Sequence, residues 1–242
     1  MSTLAFDIIQ FFPSLNYWLL PLIIRKAGFD PKVSYFFSNY LVERKIQYFW
    51  NNFSSSFFNV NVGVGQGSAL SPIFSALYIA PILYILEKCL KILKIPITIL
   101  SFVDNGFLIA QSKSLTILIS NLLCNYNIIS SILEQFGLIM KHGKMEVFHF
   151  SRLYDLFDSP LLNLSALGGP VLQPKCIWKY LGFIFDRKLF FCQHINFYVN
   201  KVISMVKCMK IFSNSVQSLN SQQKQLLYRS YILPIALYWF QL

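Results

Sequence analysis

The sequence predicts an α+β fold, and three observations predict it. Short β-rich runs at 4–9 and 97–102 are bounded by turn residues. Phe58, Val60, Val62 and Val64 alternate with polar or small residues, which is the period of a strand. Helical-length stretches separate these runs, and one carries Val199, Val202, Met205, Val206 and Met209 as an apolar stripe. At 242 residues the chain is one large domain or two small ones, able to bury a core without a disulfide or metal staple.

Taken in order, residues 4–9 read as a buried strand ending at a Phe-Pro turn. Residues 17–26 read as a helix stopped by Gly28, and 31–40 as another. Residues 47–50 and 57–64 read as paired strands around an Asn/Ser loop. A glycine-rich loop then leads to Ser71 and Pro72, an N-cap and first-turn proline for a helix reaching Leu93 with a kink near Pro81. Asn105-Gly106 between the apolar runs 97–102 and 107–110 is a hairpin signal that puts Asp104 at the tip. A helix over 115–136 and a strand over 147–150 follow, and Pro and Gly punctuate 158–175 as an irregular connection. Helices over 196–212 and 221–233, the latter capped by Ser221, complete the chain.

Composition narrows the function classes. Hydrophobic residues make up 55% and charged residues 13%, which excludes disorder. The net charge of +11 points to a polyanionic partner. Residues 1–174 carry twelve basic and nine acidic side chains, whereas 175–242 carry nine basic ones and only Asp186. The C-terminal part is therefore the expected polyanion surface. Five cysteines without a CxxC pair fit neither a zinc ribbon nor a disulfide framework, and read as reduced, mostly core thiols of an intracellular protein. The N-terminus lacks the basic start of a signal peptide. No charge occurs from Ile46 to Leu86, and 69–86 has the length of a membrane span. Pro72 and Pro81 inside it, and Asp104 within a second apolar segment, weigh against an integral membrane protein.

Acidic residues are scarce, so a carboxylate inside an apolar strand is informative. Asp7 and Asp104 are the two clear cases. Burying such a group is unfavourable unless it is paired or bound to metal. Two of them on neighbouring strands can hold divalent cations for phosphoryl transfer. Two turn aspartates at strand ends are the plainer reading.

The motifs then combine. Residues 6–15, FDIIQFFPSL, resemble the first catalytic segment of reverse transcriptases. Residues 65–72, GQGSALSP, resemble the second, and Phe102-Val103-Asp104-Asn105 resembles the aromatic-x-Asp-Asp hairpin. Gly137-Leu138 through Lys144-x-Glu146-Val147 resembles the fourth, and Trp178 through Gly182 the fifth. The Tyr-Leu-Gly run followed by His194-Ile195 is most similar to non-LTR, LINE-like retrotransposon polymerases.

The resemblance implies a palm of antiparallel strands backed by helices over 1–152, a connection over 153–176 and a mostly helical thumb over 177–242, with the fingers largely missing. It implies RNA-directed DNA synthesis from deoxynucleoside triphosphates, with an RNA template, a DNA primer and Mg²⁺ or Mn²⁺, in the nucleus or cytoplasm and without a membrane partner. Asp7 and Asp104 match the metal-binding carboxylates, and the Ile8 carbonyl matches a further ligand. Phe12 matches the side chain that crowds a ribose 2′-OH, although it is one of 24 phenylalanines and also reads as core. Gln66 and Gly67 match the turn that packs against the incoming nucleotide. Lys144 matches the lysine that neutralises or protonates the pyrophosphate, against the reading of a solvated turn lysine. Lys201, Lys207 and Lys210 stand where a thumb would contact duplex phosphates, against the reading of a solvated face.

Two departures from the pattern stand out. Asn105 replaces the second Asp of the hairpin, which removes a charge and predicts weak or no polymerisation. The chain starts six residues before Asp7, so the family's fingers and endonuclease are expected to be lacking, as in a truncated copy. Loss of catalysis with retained duplex binding is the alternative function.

Overall fold

Strand β1 (Ser2–Asp7) is the axis of the main sheet. Helices α1 (Phe11–Ser14), α2 (Leu19–Lys26) and α3 (Pro31–Leu41) follow it, then short strands β2 (Arg44–Ile46), β3 (Phe49–Trp50), β4 (Phe53–Ser54) and β5 (Phe58–Val60). Helix α4 (Ser71–Leu93), the hairpin β6 (Ile97–Phe102) and β7 (Asn105–Ala110), helix α5 (Leu115–Gln135) and strand β8 (Glu146–His149) come next. Strands β9 (Leu162–Asn163), β10 (Val171–Leu172), β11 (Pro174–Lys175), β12 (Ile177–Tyr180) and β13 (Phe183–Asp186) precede helices α6 (Cys192–Ser213), α7 (Ser221–Leu227) and α8 (Leu233–Leu237). The computed structural model describes residues 1–60, 63–151, 161–165, 168–213 and 219–238.

The chain divides into two compact units, Met1–His149 with Asp158–Pro174, and Phe150–Phe157 with Lys175–Leu242. The sheet of the first unit has the order β11-β8-β1-β7-β6. Strand β1 runs antiparallel to β7 from Ser2↔Ala110 to Asp7↔Asn105, and antiparallel to β8 through Leu4↔Val147. Neighbours on both edges suit its near-continuous burial, polar Ser2, Thr3 and Asp7 included. Ser2, polar yet fully buried, is satisfied by His149 Nδ1 at 2.7 Å.

Helices α4 and α5 back this sheet. Phe74, Tyr78, Ile82, Leu86 and Leu90 recur every four residues and form the buried stripe of α4. Each such burial contributes about 1.5–3 kcal/mol. The Tyr78 hydroxyl donates to the Phe136 carbonyl at 2.6 Å and so ties α4 to the C-terminal end of α5. Both helices are long and apolar enough to cross a membrane. Their stripes are spent on this core instead, which disfavours the membrane reading.

Several expectations change. Phe58–Val60 pairs with Arg44–Ile46, not with 47–50, and Phe49–Trp50 forms its own hairpin with Phe53–Ser54. Residues 61–62 of that expected strand lie outside the described residues. Pro13 belongs to the short helix α1 rather than a turn. Leu70, not Ser71, is the N-cap of helix α4. Asn220 replaces Ser221 as the cap of α7, in a reciprocal capping box with Gln223. The Pro/Gly-rich stretch contributes the hairpin β9–β10 and the buried Leu162, Leu164 and Leu172 to the first unit's core. Cys124, Cys176, Cys192 and Cys208 are exposed, because each lies on an outward position rather than in the core.

In the second unit β12 and β13 form a hairpin carrying Trp178, which is buried, against Phe185. Asp186 receives the backbone N–H groups of Lys188, Phe190 and Phe191, and so shapes the turn into α6. His194 and Tyr198 are buried on α6, one turn apart. Val199 and Val206 of the expected stripe are instead exposed.

Candidate nucleotidyl-transfer site

Asp7 is the last residue of β1 and is 7% exposed. Its register partner is Asn105, the first residue of β7. Asp104 precedes Asn105 in the hairpin turn, and the Ile8 N–H donates to the Asp104 carbonyl at 3.0 Å. Adjacent antiparallel strands thus carry both carboxylates to the same end of the sheet.

The hairpin turn is Val103-Asp104, not the expected Asn105-Gly106. Val103 takes φ of +57°, a conformation β-branched residues rarely adopt. Gly106 is needed within β7 instead. A side chain there would overlap the ring of Phe6, its register partner.

Lys144 closes a short 3₁₀ turn, His142–Lys144. Its ammonium lies 2.6 Å from Asp7 Oδ2, with the lysine side chain 59% exposed and the aspartate side chain 10%. The hydrogen bond from Lys144 to Asp7, then the charges of Asp7 and Asp104, raise the Lys144 pKa above its ordinary value. Backbone bonds hold the turn in place. The Lys141 N–H donates to the Asp7 carbonyl at 2.7 Å, and the Lys144 N–H to the Lys141 carbonyl at 3.1 Å. The Tyr126 hydroxyl on α5 bonds His142 Nε2 at 3.0 Å. Sequence reasoning missed Tyr126 and His142, because a contact between a helix and a turn 16 residues later leaves no periodic signal. Asn105 Nδ2 donates to Asp104 Oδ1 at 2.9 Å.

The second motif is anchored beside the first. The Val64 N–H donates to the Phe12 carbonyl at 2.8 Å. Gly63 crosses there with φ of +47°, where a side chain would overlap the Phe12 and Pro13 backbone. The Arg44 guanidinium also bonds the Gly63 carbonyl. Phe12 itself is half-buried, edge-on to Phe11. Gln66 and Gly67 are exposed on the loop ahead of α4, and Ser71 Oγ donates to the Gly65 carbonyl at 2.5 Å.

Asp7, Ile8, Asp104, Asn105 and Lys144 therefore converge, and Phe12 and Gly63–Gly67 adjoin one another. Lys201 and Lys207 are exposed on α6 in the second unit. Their six-residue spacing puts them on different faces of the helix. The Lys210 side chain lies outside the described residues.

Among the described residues no three His, Cys, Asp or Glu side chains form a metal cluster. The donor set at the sheet end is two carboxylates and an amide. Oxygen donors of this kind suit a hard divalent cation.

A sheet backed by helices thus carries the hairpin tip and its two carboxylates at one end. The chain belongs to the reverse transcriptase (RNA-dependent DNA polymerase) family, which it matches over residues 3–185. It is similar in fold to a telomerase from Candida tropicalis solved with a fragment of telomeric RNA. That match has 13% identity and a TM-score of 0.56, over 98% of this chain and 39% of that one. The apo telomerase from Candida tropicalis is similar at 13% identity and a TM-score of 0.53, over 77% of this chain and 31% of that one. The chain thus spans well under half the length of these structures. Comparison with curated protein sequences gives no match.

Proposed function

We propose that this domain is the palm and thumb of a non-LTR, LINE-like retroelement reverse transcriptase, with weak activity or none. The palm is 1–152, the connection 153–176 and the thumb 177–242. The substrates are an RNA template, a DNA primer and deoxynucleoside triphosphates, within the cell. The observation that carries the reading is the convergence of Asp7 and Asp104 at one sheet end of a chain in this family. Asp7, Asp104 and the Ile8 carbonyl would hold Mg²⁺ or Mn²⁺. Bound there, the ions stabilise the attacking and leaving oxygens of phosphoryl transfer. Phe12 would limit the space at the ribose, and Gln66 and Gly67 would pack against the incoming nucleotide. Lys144 would serve the pyrophosphate once released from Asp7. Lys201, Lys207 and Lys210 would meet phosphates without reading sequence.

Asn105 supports a second reading, a polymerase fold that binds duplex without extending it. Its amide spends a donor on Asp104 and adds no negative charge for a cation. Primer extension on poly(rA)–oligo(dT) in Mg²⁺ and in Mn²⁺ separates the two. Extension abolished by Asp7→Ala and by Asp104→Ala supports the polymerase. Salt-dependent duplex binding with no extension supports the binding module.

A further inference from the structure

The carboxylate of Asp7 is nearly buried and already has a cation. A buried carboxylate is unfavourable without a partner, and Lys144 supplies one at 2.6 Å from Oδ2. Asp104 is served likewise, by the Asn105 amide on Oδ1. One oxygen of each carboxylate is thus engaged by a group from the chain itself.

The two tethers differ in mobility. The turn bearing Lys144 is held to β1 by the Lys141–Asp7 backbone bond and to α5 by the Tyr126–His142 bond. The lysine side chain beyond that backbone is 59% exposed, so it can swing away without moving the turn. An ammonium and a divalent cation cannot share Asp7 Oδ2, because like charges at contact distance repel.

We propose that Lys144 is a built-in counter-cation of Asp7 in the metal-free chain, which a divalent cation must displace to bind. The proposal rests on the reading of Asp7 and Asp104 as metal-binding residues. Lys144 thereby sets the threshold concentration at which the site loads, and loading frees its ammonium for another anion.

The test is Mn²⁺ binding by the full chain, read from the electron paramagnetic resonance of free Mn²⁺. Lys144→Met is expected to tighten Asp7-dependent binding at least about fivefold, the Coulomb effect of one adjacent unit charge in water. Lys144→Arg, which keeps the charge, is expected to stay near the unmodified chain. Asp7→Asn is expected to abolish the binding. If Asp7→Asn abolishes binding but Lys144→Met does not tighten it, the counter-cation is overturned and the metal reading stands. If no variant shows Asp7-dependent binding, both are overturned. A second readout follows the Lys144 side chain in the unmodified chain. The lysines are reductively ¹³C-methylated, and the Lys144 signal is identified by its loss in Lys144→Arg. That signal is expected to shift with Mg²⁺, and not in Asp7→Asn. A signal unmoved while Mn²⁺ binds overturns the proposal.

Discussion

Gly106 lies under the ring of Phe6, its register partner across β1 and β7. The next pair along is Asp7 and Asn105, so this contact seats the end of the sheet where the carboxylates meet. Gly106→Ala is expected to destabilise the first unit by about 1–3 kcal/mol, the usual effect of overpacking. Phe6→Leu in the same chain is expected to recover part of the loss. Urea denaturation checks both, and an unchanged midpoint for Gly106→Ala would contradict the contact.

Asn105→Asp should restore a third carboxylate at the hairpin. Primer extension by that variant is expected to exceed the unmodified chain by on the order of a hundredfold, if the missing charge limits cation binding. Equal rates would show that the charge missing at Asn105 does not limit extension.

His194 is buried, and burial pushes its pKa below the ordinary 6.5. Its Nδ1 accepts the Ile184 N–H at 3.1 Å, which requires the neutral ring. Above pH 6.5 the neutral form prevails in folded and unfolded chain alike, and the stability is fully present. As the pH falls, the unfolded chain takes up the proton first, and stability is lost down through the lowered folded-state value. Urea titrations near about pH 7.5 and about pH 5.5 should show this loss, and His194→Phe should reduce it. The same acid loss in both proteins would point to another group.

Lys201 and Lys207 are exposed, and their expected role is electrostatic. Replacing either with Ala should weaken RNA–DNA duplex binding for all sequences and reduce the log–log salt slope by about one. A slope unchanged in both variants would remove α6 from the interface.

Trp50 is 77% exposed and Phe53 66% exposed on a hairpin without charge. Trp50→Ser and Phe53→Thr should raise the soluble yield and leave the thermal midpoint nearly unchanged, since neither ring supports the core. A large drop in the midpoint would show that the rings are packed.

The α+β class, the helices near 71–93 and 115–135 and the strand carrying Asp7 were legible in the sequence. Apolar periodicity and Gly/Pro punctuation are local properties, and the burial they encode is visible residue by residue. The candidate carboxylates were legible for a related reason, since an acid inside an apolar run is conspicuous. The pairing of the short strands was not legible. Ile46, Phe49, Phe53 and Phe58 are interchangeable as β-formers, and register depends on which turn closes first. Asn105-Gly106 also misled, because its glycine serves the Phe6 ring rather than the turn.

By itself, the sequence determined the long helices, the strand that carries Asp7 and the hairpin that carries Asp104, the basic excess of the last quarter and the family motifs in their order. Only the tertiary structure decided that Lys144 meets Asp7, 137 residues away, and that Tyr126 holds the turn that carries it. The physical reason is range. Propensity and periodicity act over a few residues, whereas an ion pair depends on how β1, β8 and α5 pack.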